Sequence, residues 1–362
     1  MKRRIFLVVA IAVIMFTSCK KEYTIIVQSN NESWGSVEGS GTYTKRTVIS
    51  IGAISNNGYK FAKWDDGNTD NPRSIIVEKN ATYIAIFSGG EFTDAFSVSA
   101  TRTVYFSPGN LQWSATDGGS SPTYHPVAGG GTAAGTWRFA PNQWDTIGVA
   151  NSNVSSTYTG WIDLFGWGTS GYDNKYPYMT STVATDYGNG NNNILGTNYD
   201  WGVYNAIYNP KTQTTDAPGT WRTLTTNEWI YLLKARTTLS GIRYAKATVC
   251  GIVGLIIVPD NWSNTYYPLT NVNTSGAAYT SNIIGATDWA KMENVGCVFL
   301  PAAGYRGGTY VGYVGSNGYY WSTTYSGSIY AYFLCFYSSC LYPSEDYRRY
   351  YGYSVRLVRS AQ

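Results

Sequence analysis

Residues 23–88 carry the hydrophobic pattern of a small all-β module. Short segments that are continuously apolar, or that alternate between apolar and polar residues, are separated by stretches such as SNNG and DDGNTDNP. Asn, Gly, Asp and Pro favour turns, and alternating runs bounded by such turns are typical of strands. The pattern predicts strands at residues 23–27, 47–54, 59–64, 73–78 and 81–87.

The segment GGEFTDA predicts a linker over residues 89–95, and no comparable break follows before the C-terminus. Residues 96–362 are therefore predicted to form one domain, in which Gly-rich stretches are long loops. Its clearest helix begins in LTTNEWIYLLKAR, where Thr225 caps the helix and Glu228 completes a capping box. Trp229 begins an apolar stripe, which predicts that this helix packs on a core.

The sequence AYFLCFY at residues 331–337 predicts a strand near the C-terminus. In a strand, alternate side chains point to opposite faces, so Phe333, Cys335 and Tyr337 share one face. Residues 254–262 read as a second buried strand that ends in a turn.

The N-terminus has the pattern of an exported protein. MKRR is followed by the apolar run IFLVVAIAVIMF and then by TSC. The apolar run is shorter than the roughly 20 residues of a membrane helix, so it predicts a signal peptide. Because TSC resembles a bacterial lipobox, although Phe16 replaces its usual Leu, we predict a signal peptide at residues 1–18, lipidation of Cys19 and a tether at residues 19–22. Secretion with cleavage nearby is the alternative.

The composition narrows the class of protein. Only 13% of residues are charged and 16% are aromatic, with 39 Gly and 33 Tyr, whereas about 25% of residues are charged in an average globular domain. This favours a β-rich or loop-rich extracellular protein. The net charge of +4 is modest and no cluster of Lys and Arg is interleaved with aromatic residues, which argues against nucleic-acid binding.

The residues that usually bind metals or catalyse reactions are scarce. His125 is the only histidine, and Cys250, Cys297, Cys335 and Cys340 contain no CxxC motif and allow three disulfide pairings. We therefore predict no metal site and no cofactor. The acidic segment at residues 65–68 lacks the ligand spacing and final Glu of a calcium loop, so we predict a turn.

Residues 23–88 resemble a divergent internalin-type B repeat, a β-grasp-like module of bacterial surface proteins. The resemblance rests on YTIIVQSNN, GSVEGSGTYTKRTVISI, GYKFAKWDDGNTDNPR and ATYIAIF. It implies a stalk that lifts the following domain off the membrane. The Lys20-Lys21-Glu22 tract is similar to the charged tract after the lipidated Cys in Bacteroidetes surface lipoproteins, which implies a lipid-anchored position at the cell surface, on the outer membrane.

Residues 96–359 resemble Bacteroidetes surface proteins built on the Fibrobacter succinogenes major paralogous domain. The motifs, in chain order, are FSVSATRTVYFSPGNLQW, GTWRFAPNQWD, WIDLFGWG, GTWRTLTTNEW, GLIIVPDNW, VFLPAAGYR, YYWSTT and GYSVRLVR. The resemblance implies a C-type-lectin-like domain with short strands, long loops and paired termini, so the expected fold class is α+β: a small β module followed by this domain. Glu-Pro-Asn and Gln-Pro-Asp calcium-sugar motifs are missing, and the recurrent Trp residues are interpreted as core packing rather than as a sugar platform.

The last 60 residues are similar to the variable region of proteins diversified by retroelements. In that class, randomised adenines scatter Asn codons to residues such as Tyr, Ser, Cys, Phe and Arg. Independently of that history, a surface of Tyr, Ser and Gly has the composition of antibody paratopes. We predict that it binds a surface protein or glycan through Tyr310, Tyr313, Tyr325, Ser328, Tyr330, Phe333, Cys335, Tyr337, Cys340, Tyr342, Tyr347, Arg348, Tyr350, Tyr351 and Tyr353.

Ligand binding has two alternatives. One is a fimbria-like or cell-envelope structural component. The other is a Cys-dependent oxidase, since Cys335 and Cys340 have the five-residue separation of the formylglycine-generating enzymes, which share the lectin-like fold. The residues around these cysteines do not resemble that active site, so we predict that the protein is not an enzyme.

Overall fold

The computed structural model describes residues 21–32, 34–56, 59–89 and 95–361. The chain divides into two compact units, one ending at Gly89 and one beginning at Gly90. Cys19 and the predicted signal peptide lie outside the described residues, as does most of the predicted linker. Within the described ranges, no helix has the length and apolar character needed to cross a membrane.

The first unit contains two small sheets around one hydrophobic core. Its strands are β1 (Glu22–Ser29), β2 (Gly35–Glu38), β3 (Gly41–Thr44), β4 (Val48–Ser55), β5 (Tyr59–Trp64), β6 (Arg73–Ile76) and β7 (Ala81–Gly89). The sheet orders are β3-β1-β7-β5 and β2-β4-β6, and Ile51, Trp64, Val77 and Phe87 are buried between them. The predicted strands correspond to β1, β4, β5, β6 and β7. Strands β2 and β3 were missed because four residues of mixed polarity give no clear alternation.

The acidic segment after β5 is a turn, as predicted. Asp66 forms an ion pair with Arg73 at 2.7 Å and accepts a hydrogen bond from the Asn68 backbone at 3.1 Å. The Arg73 guanidinium lowers the pKa of the Asp66 carboxyl below its usual value. This carboxylate therefore closes the turn through an ion pair and a backbone hydrogen bond.

The second unit is a β-rich mixed fold with short helices and long loops. Its first strands are β8 (Phe96–Ser97), β9 (Thr103–Phe106), β10 (Leu111–Ser114), β11 (Tyr124–Val127), β12 (Gly131–Ala134), β13 (Thr136–Phe139), β14 (Ile207–Asn209), β15 (Thr214–Asp216) and β16 (Arg222–Thr223). The remaining strands are β17 (Tyr244–Val249), β18 (Ile252–Ile257), β19 (Ile283–Ile284), β20 (Val298–Pro301), β21 (Tyr305–Gly307), β22 (Tyr310–Gly312), β23 (Gly318–Ser326), β24 (Tyr330–Tyr337), β25 (Cys340–Arg348), β26 (Tyr351–Gly352) and β27 (Leu357–Ser360).

The helices of this unit connect and brace the sheets. The α-helices are α1 (Trp201–Tyr204), α2 (Thr226–Ile230) and α3 (Ala286–Asn294), and α2 continues as a π-helical turn through Tyr231–Ala235. Short 3-10 helices span Gly148–Asn153, Tyr172–Asn174, Ala184–Asp186 and Tyr279–Ser281. One sheet has the order β16-β27-β9-β8, so the last strand of the unit pairs with its first hairpin.

The predicted helix start is confirmed at α2. The Thr225 side chain accepts a hydrogen bond from the Glu228 backbone at 3.2 Å, and the Glu228 carboxylate accepts one from the Thr225 backbone at 2.8 Å. Trp229 is completely buried. Four Trp residues of the recurrent motifs, Trp137, Trp167, Trp201 and Trp221, also pack in the core and are at most 3% exposed, whereas Trp144 and Trp161 are only partly buried.

Strand β24 is the centre of the sheet β23-β24-β25 and is covered on both faces. Leu334 and Phe336 point into one hydrophobic cluster, which also holds residues of α2. Phe333 and Cys335 point into a second cluster, together with Trp321 of β23. A strand covered on both faces needs apolar residues at consecutive positions, which explains the run FLCF in this segment.

Candidate functional site

The burial of β24 changes the predicted binding surface. The sequence pattern placed Phe333, Cys335 and Tyr353 among its exposed residues, but each is at most 5% exposed. The Tyr353 ring lies 4.4 Å from that of Trp321 and 4.7 Å from that of Phe333, measured between centroids. These three residues belong to the core. The prediction assumed that only one face of β24 is covered, whereas the second cluster covers the other face as well.

Above this core lies a group of tyrosines whose rings contact one another, centred on Tyr305. Its ring centroid is 6.1 Å from Tyr310, 5.8 Å from Tyr313, 6.0 Å from Tyr319 and 5.3 Å from Tyr351. The sheet β22-β21-β26 creates this arrangement, since β21 carries Tyr305 between the strands of Tyr310 and Tyr351. The short strands therefore bring side chains from distant parts of the sequence together.

The contacts continue from Tyr351 along the surface. Tyr351 lies 4.8 Å from Tyr350 and 5.1 Å from Tyr347, and Tyr347 lies 6.4 Å from Tyr330. These ring pairs have the separations at which aromatic side chains attract one another. We call the connected set the tyrosine cluster: Tyr305, Tyr310, Tyr313, Tyr319, Tyr330, Tyr347, Tyr350 and Tyr351.

The outer members of the cluster face solvent. Tyr310 is 64% exposed, Tyr313 60% and Tyr347 46%, whereas Tyr305 and Tyr319 are partly buried against the core. Glycine makes room for this packing, because a Cβ at Gly312 would lie 3.0 Å from the Tyr310 ring and 3.2 Å from the Tyr305 ring. The result is a floor of half-buried rings from which exposed rings project.

Tyr313 has an unusual backbone. Its φ is 57°, in the left-handed region that residues with a side chain rarely adopt. The turn after it is held by hydrogen bonds from the backbone N–H groups of Ser316 and Asn317 to the Tyr313 carbonyl, each at 3.1 Å. The chain thus keeps an exposed aromatic residue at a position where glycine or asparagine would be less strained.

The half-buried phenols of the cluster have raised pKa values. Burial, followed by the neighbouring phenols, raises the pKa of Tyr305 above its ordinary value and raises the pKa of Tyr351 to about 12. Burial likewise raises the pKa of Tyr319. The half-buried rings therefore keep their hydroxyl protons, and each hydroxyl can both donate and accept a hydrogen bond.

A second group of predicted residues occupies the end of the β24–β25 hairpin. Tyr337 and Cys340 are cross-strand partners, and Cys335 is paired with Tyr342. The Tyr342 hydroxyl donates to the Cys340 sulfur at 3.2 Å. Hydrogen bonds from Tyr342 and Tyr337 lower the pKa of the Cys340 thiol below its usual value. We call Tyr337, Cys340 and Tyr342 the hairpin corner.

The remaining predicted residues lie towards the other end of this sheet. Tyr325 and Ser328 are exposed near the β23–β24 turn, and the Tyr325 backbone N–H donates to the Asn193 side chain at 3.1 Å. Arg348 is exposed at the end of β25, opposite Tyr330. The structure thus gathers most of the predicted tyrosines into the cluster and leaves Tyr325 and Ser328 beside the turn.

Cys335 and His125, which were weighed as possible catalytic or metal-binding residues, are both buried. None of the four cysteines in the described ranges forms a disulfide bond. Burial raises the pKa of the Cys335 thiol to about 12, which disfavours its thiolate. His125 is buried, with Nδ1 2.8 Å from the Gly135 carbonyl and Nε2 2.6 Å from the Asn205 side-chain oxygen. In the part of the chain that the structure describes, no cluster of His, Cys, Asp and Glu could hold a metal.

Reasoning from the sequence missed Tyr305 and Tyr319, which form the floor of the cluster. Both lie in the motifs VFLPAAGYR and YYWSTT, which carry the family resemblance and contributed no residue to the predicted binding surface. It also missed Lys246, which is completely buried in β17. A lysine inside the otherwise apolar run YAKATV was the available signal, since a fully buried lysine is rare unless its charge is satisfied.

Comparison with known protein families supports part of the domain interpretation. Residues 25–91 match a family model described as a divergent InlB B-repeat domain. Residues 266–358, which include the tyrosine cluster and the hairpin corner, match one described as a domain of unknown function (DUF8237). Neither the comparison with curated proteins nor that with solved structures found a match.

Proposed function

We propose that this protein is a cell-surface lipoprotein that binds a protein or glycan ligand through the tyrosine cluster and the hairpin corner. The observation that carries the proposal is Tyr313, an exposed ring on a left-handed backbone. Left-handed backbone costs a residue with a side chain roughly 1–2 kcal/mol. Partial burial of the ring only offsets this cost, so the strained tyrosine gives the folded chain no net stability, and a contact outside the chain is the better explanation.

The physical character of the cluster fits recognition. Tyrosine has two side-chain torsions to immobilise and offers both a broad apolar ring and a hydroxyl. Here the exposed rings rest on half-buried ones, so part of their freedom is already lost before a ligand arrives. Preorganised aromatic anchors are the residues that dominate many binding interfaces.

The proposed attachment to the membrane is inferred from the sequence. Residues 1–18 would be removed, lipidated Cys19 would attach the protein to the outer membrane through the tether at residues 19–22, and the B-repeat-like module would raise the binding domain from it. For residues 96–362 we propose a C-type-lectin-like scaffold, supported by short strands, long loops and the pairing of β27 with β9. We also propose retroelement diversification of the C-terminal positions, supported by their residue types.

One triple variant and one double control variant test the function. Intact cells that display the full-length protein are applied to immobilised glycans and to a panel of purified cell-surface proteins. The variant Tyr310→Ala, Tyr313→Ala, Tyr347→Ala is compared with the control Tyr124→Ala, Tyr208→Ala, whose rings are exposed elsewhere in the same unit. We expect the cluster variant to lose every interaction that the control keeps. Equal binding by both variants would overturn the proposal.

A further inference from the structure

Lys246 lies inside the second unit and yet points its charged group at the hairpin corner. It belongs to β17, and its side chain is completely buried. Its ammonium nitrogen lies 2.5 Å from the Ser275 carbonyl, 2.5 Å from the Tyr337 carbonyl and 3.2 Å from the Ser338 carbonyl. Three carbonyl oxygens thus accept the three protons of one ammonium group.

The carbonyl groups belong to two different segments. Tyr337 and Ser338 lie at the end of the β24–β25 hairpin, and Ser275 lies in the loop between β18 and β19. The Ser275 hydroxyl also accepts a hydrogen bond from the Leu341 backbone N–H at 2.7 Å. The Ser275 hydroxyl and the buried Lys246 ammonium therefore each link the loop to the hairpin.

We propose that Lys246 is the positioning residue of the hairpin corner, and that its protonated ammonium holds the hairpin end where Tyr337, Cys340 and Tyr342 are presented together. The importance of this position for recognition rests on the proposed function. The positioning itself depends only on the contacts of Lys246. Lys246 touches no ligand in this scheme, because its nitrogen is enclosed by carbonyl groups.

The requirement for a charged ammonium makes the corner sensitive to alkaline pH. A neutral amine has two protons, so one of the three carbonyl groups would lose its donor. Burial lowers the pKa of Lys246 to about 8, while the nearby Cys340 and Cys335 thiols act in the opposite direction. The Tyr279 ring is the other neighbour, 5.7 Å from the nitrogen, and Glu345 lies near Cys335.

Hydrogen exchange measured by mass spectrometry on the full-length protein tests the proposal without any ligand. Protection factors, which are corrected for the intrinsic pH dependence of exchange, are compared for residues 338–341 and for β18. The variants are Lys246→Met, which keeps the side-chain length without the charge, and Lys291→Met, an exposed control whose lysine pairs with Asp288 on α3. We expect Lys246→Met to lower the protection of residues 338–341 by at least about tenfold at pH 7, the effect of losing one charged hydrogen bond.

The pH profile separates positioning from general stability. In the wild type, we expect the protection of residues 338–341 to fall between pH 7 and pH 9.5 while that of β18 stays constant. In Lys246→Met it should be low throughout. The inference would be overturned if residues 338–341 of Lys246→Met were as well protected as in the wild type. It would also be overturned if their protection in the wild type did not change with pH. If the variant fails to fold, the same profile measured on Cys340→Ser decides, because that substitution removes the thiol that also titrates in this range while Lys246 stays in place. Failure of the tyrosine-cluster variants to change binding would refute the proposed function and leave this result untouched.

Discussion

Tyr313 provides the sharpest test of the idea that strain is retained for recognition. We expect Tyr313→Asn to cost little stability, because asparagine tolerates the left-handed backbone that the tyrosine is forced to adopt. The tyrosine is 60% exposed. Truncation therefore loses the burial of about two fifths of an aromatic side chain, roughly 2 kcal/mol. Relief of the left-handed backbone returns roughly 1–2 kcal/mol, so the net change should be close to zero.

Tyr310→Asn is the matched control. Tyr310 is 64% exposed, and its φ is not positive, so the same truncation brings no relief of strain. We therefore expect Tyr310→Asn to lower the free energy of unfolding by roughly 1–2 kcal/mol more than Tyr313→Asn does. Urea unfolding of the second unit, followed by tryptophan fluorescence, measures both values. Equal destabilisation by the two substitutions would refute the reasoning about strain. Retention of full ligand binding by Tyr313→Asn would refute the functional reading of the strain.

Three further predictions concern groups outside the cluster. Burial raises the pKa of Asp163 to about 6, so the stabilisation that its neutral carboxyl provides is present below pH 4 and is lost as the pH rises through 6. Asp163→Asn has no titrating carboxyl, so the free energy of unfolding of this variant should decline by up to about 3 kcal/mol less over that range. An unchanged pH profile would contradict this. Cys340 should react with iodoacetamide at pH 7 while Cys335 stays unmodified until urea is added, as peptide mapping would reveal; equal rates would refute the assigned burial. Cys19→Ser should move the protein from the detergent phase to the aqueous phase of a Triton X-114 partition, and no change would exclude a lipid at Cys19.

The local features were predictable because neighbouring residues produce them. The helix start at Thr225 follows from a capping box that spans four consecutive residues. Strands β4, β5 and β7 are long enough for their alternation to be recognised, and the turn at Asp66 has the residues that turns favour. The tyrosine-rich composition of the C-terminal region likewise indicated a candidate surface before any contact was known.

The face on which each side chain lies was not predictable from the strand pattern. Tyr337 and Phe333 share a face of β24, but Tyr337 reaches the surface while Phe333 lies beneath Tyr353. Alternation shows only which residues share a face. Whether that face is covered depends on β26 and on the loops that arrive from distant parts of the sequence.

By itself, the sequence determined the B-repeat-like module, the capped helix and the concentration of tyrosines near the C-terminus, since each depends on residues close together in the chain. Only the tertiary structure decided which of those tyrosines form one surface. Tyr305 became its centre through the pairing of β21 with β22 and β26. Lys246 reached the hairpin corner through carbonyl groups about 30 and 90 residues away. Contacts over such separations are set by packing and by the need to satisfy buried polar groups, and neither leaves a periodic signal in the sequence.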